Sequence, residues 1–216
     1  MLAYKLMSVG NAKTFANLGG GNFTSSASSF TATAFNIGPE KPDRVIVVCV
    51  AGKSEFNRQI SGITIGGNAA TLATRSISRI TISGIYYLAV PTGDTADIVI
   101  SFTGSVDALI YNVYAVTGWG TVSLYDSTSA YGTYSTLTAS GFDTAIGGVA
   151  FMAASALASS SPSVSDFTSN KTGSSSSTYF ICGSINPTAQ VTNLDPVLTT
   201  DDSGSSSKVF SVASFS

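Results

Sequence analysis

The stretch with the strongest likeness to a reactive site is Gly52-Lys53-Ser54, which follows an apolar run and has the composition that ends a phosphate-binding loop. In such a loop, G-x-x-x-x-G-K-[ST], the first glycine opens a wide turn whose backbone N–H groups surround the phosphates. Val47 occupies that position here, and Gly62 follows too soon for a helix that could bind phosphate at its N-terminus. The segment therefore predicts a strand that leads into a loop with an exposed lysine, and no nucleotide site.

The residues that usually carry catalysis are missing or scattered. Because the chain contains no histidine, Ser-His-Asp and Cys-His catalysis and the usual zinc sites are excluded. The carboxylates are spread through predicted turns, so their order indicates no facing pair of the kind that glycoside hydrolysis needs. The segment 195–202 offers aspartates and carbonyls to a calcium ion but lacks the alternating order of a calcium-binding loop. We predict no enzymatic activity, no catalytic residue, no cofactor and no metal site.

Aromatic side chains are the remaining candidates for binding. Trp119, the single tryptophan, lies between two glycines at a predicted strand end. Three roles stay open for it: stacking on a sugar ring, a subunit contact, or closing the open end of a β-sandwich. Tyr125, Tyr131 and Tyr134 fall in or beside the polar segment 126–135, which is predicted to be a loop. The candidate residues for an interface or for sugar stacking are therefore Trp119, Tyr125, Tyr131 and Tyr134.

Composition limits the partners and the number of domains. The chain has 216 residues, of which 44% are hydrophobic and 10% are charged, and its net charge is −2. We predict one domain over 1–216 and no long-range attraction for nucleic acid or for an anionic membrane. The apolar segment 146–158 is too short to cross a bilayer and predicts a buried strand. The segment 1–13 predicts a first strand and not an export signal.

The two cysteines, Cys49 and Cys182, lie in separate apolar segments that resemble strands. This pattern favours two buried free thiols, with a disulfide between them as the alternative.

The elements that must position these residues are strands. Short alternating or fully apolar runs recur along the chain, separated by Gly, Pro, Asn and Ser turns, and no segment combines helical periodicity with caps. The run 44–50 is apolar on both faces, which indicates a central strand. Gly66-Gly67-Asn68 predicts a tight hairpin, while 104–107 and the serine tracts 159–161 and 174–177 predict loops. Together these patterns predict an all-β fold, an antiparallel two-sheet β-sandwich of jelly-roll type.

Four segments carry a resemblance to a known class of protein. They are DRVIVVCVAG at 43–52, GITIGGNAATL at 62–72, YYLAVPTGDTADIVISFTG at 86–104 and VYAVTGW at 113–119. Their order resembles a β-sandwich module of tailed-bacteriophage and prophage structural proteins, over about residues 23–157. The resemblance implies a virion component: a capsid decoration protein, a head fibre or a tail-associated protein.

The resemblance also implies partners and a location. We expect a non-enzymatic capsid decoration or stabilising protein on the virion surface, assembled in the bacterial host cytoplasm. Its partners would be the major capsid protein or other virion proteins, and a homo-oligomer, with a trimer favoured, follows from the symmetry of phage surfaces. The alternatives are a carbohydrate-binding module or a tail-associated receptor-binding protein, either of which would bind a glycan through exposed aromatic residues.

Overall fold

The computed structural model describes residues 14–187, 189–201 and 207–216. The first strand that we predicted in 1–13 lies outside the described residues. The described part of the chain contains strands and no helix, so the predicted all-β class is confirmed, and no helix there is long and apolar enough to cross a membrane. The strands are β1 Thr14–Phe23, β2 Ala27–Asn36, β3 Val45–Ser54, β4 Ile60–Ile65, β5 Asn68–Ala69, β6 Thr71–Ser78, β7 Thr81–Ala89, β8 Thr95–Thr117, β9 Leu124–Gly132, β10 Thr136–Thr138, β11 Val149–Leu157, β12 Ser163–Val164, β13 Thr168–Ser175, β14 Thr178–Ile185, β15 Val197–Thr199 and β16 Lys208–Phe215.

The largest sheet has eight strands and folds over on itself. The 23-residue β8 pairs with β2 and β4 through its first half and with β1 and β3 through its second half. Side chains from both halves, such as Ile98 and Val113, enter one apolar cluster, so β8 must bend between them. Strands that pass from one layer to the other at a bend form the corner of a sandwich. We predicted a loop at 104–107; instead β8 continues through this bend, called the crease, as one strand, and its pairing with β2 and β3 shifts register there.

Two other chain segments cross the same crease. The arm formed by β1 and β2 runs antiparallel along the whole of β8, and crosses at 24–26. Strands β3 and β4 pair with opposite halves of β8, so the connection 55–59 crosses as well. The result is a first sandwich with β1-β8-β3-β7-β6 as one layer and β2-β8-β4-β5 as the other. Its interior holds the aromatic pairs Phe23–Tyr111 and Phe30–Phe102.

A five-stranded sheet, β13-β14-β11-β16-β9, packs on the outer face of the larger layer and makes a second sandwich. Strand β3 shows why this layer is buried on both sides. Val45, Val47 and Cys49 face the five-stranded sheet, whereas Ile46 and Val48 face the first sandwich. Because alternate residues of a strand point to opposite faces, a run that is apolar throughout can only be a central strand. The prediction for 44–50 is confirmed.

The second sandwich is held by hydroxyl groups as well as by apolar contacts. Ser83 and Ser211 are hydrogen-bonded across it at 2.8 Å, and Thr81 and Ser207 at 2.7 Å. The hydroxyls of these two pairs can therefore be buried between the sheets, since each of the four has a hydrogen-bond partner there. Two buried thiols also lie in this interface. Cys49 and Cys182 are free, as predicted, and burial raises the pKa of both.

A third sheet, β10-β15-β12, covers part of the outer face of the five-stranded sheet. Leu137 and Leu198 from this small sheet pack with Met152 and Phe210 in a separate apolar cluster. The two large sheets therefore pack face to face as predicted, and the small sheet is an addition that the sequence pattern did not indicate. The end of the second sandwich where β3 and β9 begin is called the Trp119 end, and the end where they finish is called the Tyr134 end.

Candidate interaction surface

Gly52-Lys53-Ser54 forms the last three residues of β3 and is paired with β8. The carbonyl of Gly52 accepts a hydrogen bond from the hydroxyl of Ser155 at 2.9 Å, and Ser54 is fully buried. This is extended backbone inside a sandwich, and it differs from the wide turn that a phosphate-binding loop requires. Lys53 is half-buried, so the exposed loop lysine that we predicted is wrong in detail.

Asp43 holds the turn that follows β8. Its Oδ2 accepts hydrogen bonds from the N–H groups of Gly118, Trp119 and Gly120 at 2.7, 2.8 and 3.2 Å. Gly118 and Gly120 have φ values of 85° and 69°, and this left-handed backbone turns three successive N–H groups toward one point. Burial raises the pKa of Asp43, but these hydrogen bonds outweigh it, and the net pKa lies below its usual value.

Substitution of Asp43 by asparagine is expected to lower the free energy of unfolding by about 2 kcal/mol at neutral pH, because a charged acceptor of three N–H groups is lost. Since the pKa is depressed in the folded protein, the stabilisation is fully present above the unfolded pKa of about 3.9. It disappears as the pH falls through the lower folded pKa. Urea unfolding at a series of acidic pH values should therefore show a steeper loss of stability for the wild type than for Asp43→Asn.

A matched control for this substitution is Asp97→Asn, since Asp97 accepts one N–H group, from Ala34 at 2.7 Å. We expect a smaller loss of stability for it. Equal pH profiles for the wild type and Asp43→Asn would contradict the role given to the Asp43 carboxylate.

The aspartates of the segment 195–202 serve separate loops. Asp195 accepts the N–H of Gly141 at 2.6 Å, and Asp201 accepts the hydroxyl of Ser159 at 2.8 Å. Asp202 lies outside the described residues. Within the described ranges, no three acidic or cysteine side chains come together in a way that could hold a metal ion. Each described carboxylate of this segment therefore accepts hydrogen bonds from a neighbouring loop and stabilises that loop.

Trp119 lies at the Trp119 end and is half-buried. Its side chain packs against the apolar cluster of the second sandwich, as do Phe15, Val122 and Leu124. Its backbone is held by Asp43. Of the three roles left open for this residue, the placement favours closing the open end of the sandwich.

The predicted loop at 126–135 is wrong for most of its length. Strand β9 occupies it and pairs with β16 from end to end. Carbonyl groups of Thr128 and Ala130 accept hydrogen bonds from the hydroxyls of Thr74 and Ser76 on β6. An edge strand with unpaired carbonyl groups can pair with a strand of another chain. In β9 the hydroxyls of β6 occupy two of these carbonyl groups.

Strand β9 separates the three candidate tyrosines into two groups. Tyr125 is 43% exposed, lies at the Trp119 end and accepts a hydrogen bond from Gln190 at 3.3 Å. Tyr131 lies six residues further, which is about 20 Å along a strand. Tyr131 and Tyr134 are 72% and 75% exposed and lie together at the Tyr134 end. The single patch that we expected is therefore divided, and only Tyr131 and Tyr134 form an exposed aromatic pair.

Phe56 is a third exposed aromatic residue at the Tyr134 end, and we did not predict it from the sequence. It lies in the connection between β3 and β4 and is 76% exposed. The N–H of Asn57 donates to the carbonyl of Arg79 in the β6–β7 turn at 2.8 Å, which fixes the connection at this end. The available signal was an aromatic residue between Glu55 and Asn57, where a turn would be expected to be polar throughout.

The chain matches no protein-family model, no curated protein and no solved structure. A function for the chain is therefore inferred from its residues and its fold.

Proposed function

We propose that the chain is a non-enzymatic structural protein of a bacteriophage virion, a decoration protein that binds the particle surface and other virion proteins. The observation that carries this proposal is the exposed aromatic pair Tyr131 and Tyr134 at one end of a layered β-body. Exposed tyrosines are enriched in protein interfaces because each ring offers a large contact area and a polar hydroxyl. The resemblance of four segments to phage sandwich modules supports the same role.

The layered body also suits a particle component. Three apolar clusters lie on top of one another, and the polar edge of β9 is covered by hydroxyls of β6. A decoration protein binds through contacts that are weak singly, and their combined strength on a lattice of many sites is large. Two exposed tyrosines at one end could supply one such weak contact per copy, and the particle surface would repeat it at many sites.

The test uses particles from the bacterial strain that encodes the chain. Prophage induction, purification of particles by density gradient and immunogold labelling with antibody against the chain should place label on the particle surface. A Tyr131→Ser/Tyr134→Ser variant, expressed in place of the wild type, should be lost from purified particles while remaining folded. Particles without label, or equal incorporation of the variant, would contradict the proposal.

The same pair of tyrosines supports a second candidate, a glycan-binding module or a tail-associated receptor-binding protein, because exposed rings stack on sugars. Trp119 was the expected stacking residue, but it is half-buried against the sandwich. If a glycan binds, Tyr134→Ala is expected to reduce binding at least tenfold, while Phe15→Leu, a change in the apolar cluster on which Trp119 also packs, leaves it unchanged. A glycan array on the wild type followed by titration of both variants makes the measurement.

A further inference from the structure

We infer that copies of this chain exchange their β1–β2 arms, so that the arm of one copy pairs with β8 of another. The β1–β2 arm is defined as residues 14–36, and the hinge as residues 37–44, which join the arm to β3. The partner is a second copy of this chain. The inference rests on the proposed function in one respect, since it names the residues of the self-association expected of a decoration protein.

The arm is attached to the eight-stranded sheet through one strand. Strand β1 pairs with the second half of β8 and β2 with its first half, and within the described ranges neither pairs with any other strand. Strand β3, in contrast, pairs with β7 as well as with β8. The arm can therefore leave β8 without breaking any ladder except its own, and the rest of the sheet keeps its pairing.

An arm that leaves β8 must find another apolar site. The sequence has no charged residue at 14–37. The ring centroids of Phe23 and Tyr111 lie 5.8 Å apart, and those of Phe30 and Phe102 lie 6.0 Å apart. Release of the arm exposes aromatic rings on the arm and on β8 alike, and the cost in free energy rises with the apolar area that meets water.

The surface that fits a released arm is β8 of a second copy. That copy offers the same register, the same aromatic partners and the same contact of β1 with β13. The exchanged arm therefore regains every contact that it makes in its own chain. Because these contacts are equal in the closed and exchanged forms, the balance between the two forms depends on the hinge and on the protein concentration.

The hinge contains features that act in opposite directions. Pro39 and Pro42 fix their own φ angles and disfavour a helical backbone at the residues before them, so the hinge favours an extended path. In the closed form, Nη1 of Arg44 donates to the carbonyls of Gly38 and Pro39 at 2.5 and 2.8 Å. The other three acceptors of Arg44 lie outside the hinge and stay in place when it opens. Arg44 therefore stabilises the closed form, and the two prolines favour exchange.

Exchange also sets the symmetry of the assembly. Two copies that exchange arms with each other are related by a two-fold axis, and three copies that each pass an arm to the next form a closed ring. Neither assembly needs a new complementary surface. The ring of three agrees with the trimer expected from the sequence.

The first test places one cysteine on each of two chains. Thr14 and Thr117 lie opposite each other in the β1–β8 ladder, with their Oγ1 atoms 2.9 Å apart. Thr14→Cys protein and Thr117→Cys protein are mixed in urea, refolded together at high concentration and oxidised with glutathione disulfide. Only exchange brings the two new thiols together, because they belong to different chains. We expect a disulfide-linked mixed pair at least tenfold more abundant than in the control mixture.

The control mixture contains Thr14→Cys protein and Phe56→Cys protein. Phe56 is 76% exposed at the Tyr134 end, whereas Thr14 lies at the Trp119 end, so exchange does not bring these two positions together. The native thiols do not compete, because Cys49 and Cys182 are buried. A mixed pair of Thr14→Cys and Thr117→Cys no more abundant than the control pair would overturn the inference.

The second test is sedimentation velocity after refolding at low and high protein concentration. We expect the wild type refolded at high concentration to contain dimers or trimers. Arg44→Lys should raise the ratio of exchanged to closed protein about tenfold, because the closed form loses hydrogen bonds that the exchanged form does not make. A wild type that is monomeric after refolding at every concentration would refute the exchange.

A variant with its arm fixed in its own chain is the control for the second test. Thr14→Cys/Thr117→Cys, oxidised at low concentration, closes a disulfide between β1 and β8 and should stay monomeric after refolding at high concentration. Association of this variant equal to that of the wild type would contradict the inference. A chain that exchanges arms but is absent from particles would remove the proposed function and leave this inference standing, whereas labelled particles without the mixed pair would remove this inference alone.

Discussion

Replacement of Arg44 by methionine is expected to lower the free energy of unfolding by about 4 kcal/mol. Arg44 is 1% exposed, and its guanidinium uses all five N–H groups on backbone carbonyls. Nε, Nη1 and Nη2 donate over 2.5–2.9 Å to the carbonyls of Val90, Gly38, Pro39, Thr92 and Gly93. Methionine has a similar length but no donor, so five carbonyls that face the guanidinium would lose their partner.

The planar arrangement of five N–H donors in the guanidinium contributes to stability as much as its charge does. Burial lowers the pKa of Arg44, while Asp94 and Glu40 favour the charged form. Lysine keeps a charge but has three donors, so Arg44→Lys should recover only about half of the loss. Urea unfolding followed by the fluorescence of the single tryptophan makes the measurement. Lys41→Met, an exposed change in the same loop, is the control, and a stability of Arg44→Met equal to that of the control would contradict the expectation.

The central strands could be predicted because burial on both faces leaves a direct signal in the sequence. In β3 every position from Val45 to Ala51 is apolar, and so is most of β11. The hairpin turn was also visible, since Gly66 and Gly67 have φ values of 57° and 80°, which glycine adopts without strain. Local chemistry decided each of these features, and no distant residue was needed to recognise them.

The polar edge strands could not be predicted, because their partners are distant in the sequence. Strand β13 is built from residues such as Ser169, Lys171 and Ser174, which alone would predict a loop. It is a strand because β14 pairs with it along one side. Strand β9 is specified in the same way by β16, and the crease of β8 by strands on either side of it. Tertiary pairing overrides local propensity at such positions.

The candidate surface could be predicted only in part, again because contacts between distant residues decide which side chains are exposed together. Sequence pattern identified Tyr131 and Tyr134 as exposed, since they lie in a polar segment. It could not divide Tyr125 from them, because that division depends on 126–132 being extended. Nor could it foresee how Trp119 is held, because Asp43 reaches its backbone from a turn 76 residues earlier in the chain. Which side chains are exposed depends on how the layers pack. Residue types predict side-chain exposure only where the segment has been correctly assigned as strand or loop.

Substitution of Gly20 by alanine is expected to lower the free energy of unfolding by about 3 kcal/mol and to loosen the β1 arm. A Cβ atom at Gly20 would lie 1.9 Å from the carbonyl oxygen of Tyr111 and 2.8 Å from the Cα of Asn112. Both atoms belong to the backbone of β8, so no side-chain rotation can relieve the clash. The arm can accept a methyl group only by moving away, and it then loses ladder pairing with β8 on either side of the substitution.

The control for this experiment is Gly62→Ala, because a Cβ atom there meets no atom within 4 Å and the stability should change by less than about 1 kcal/mol. Hydrogen exchange separates the two ways in which Gly20→Ala could act. If the arm detaches alone, exchange should rise over 14–23 while β3 stays protected, because β3 keeps its pairing with β7. If exchange rises equally in β3, the arm is an integral part of the cooperative core. A variant with wild-type stability and wild-type protection of β1 would show that β1 and β8 do not approach as closely as the structure places them.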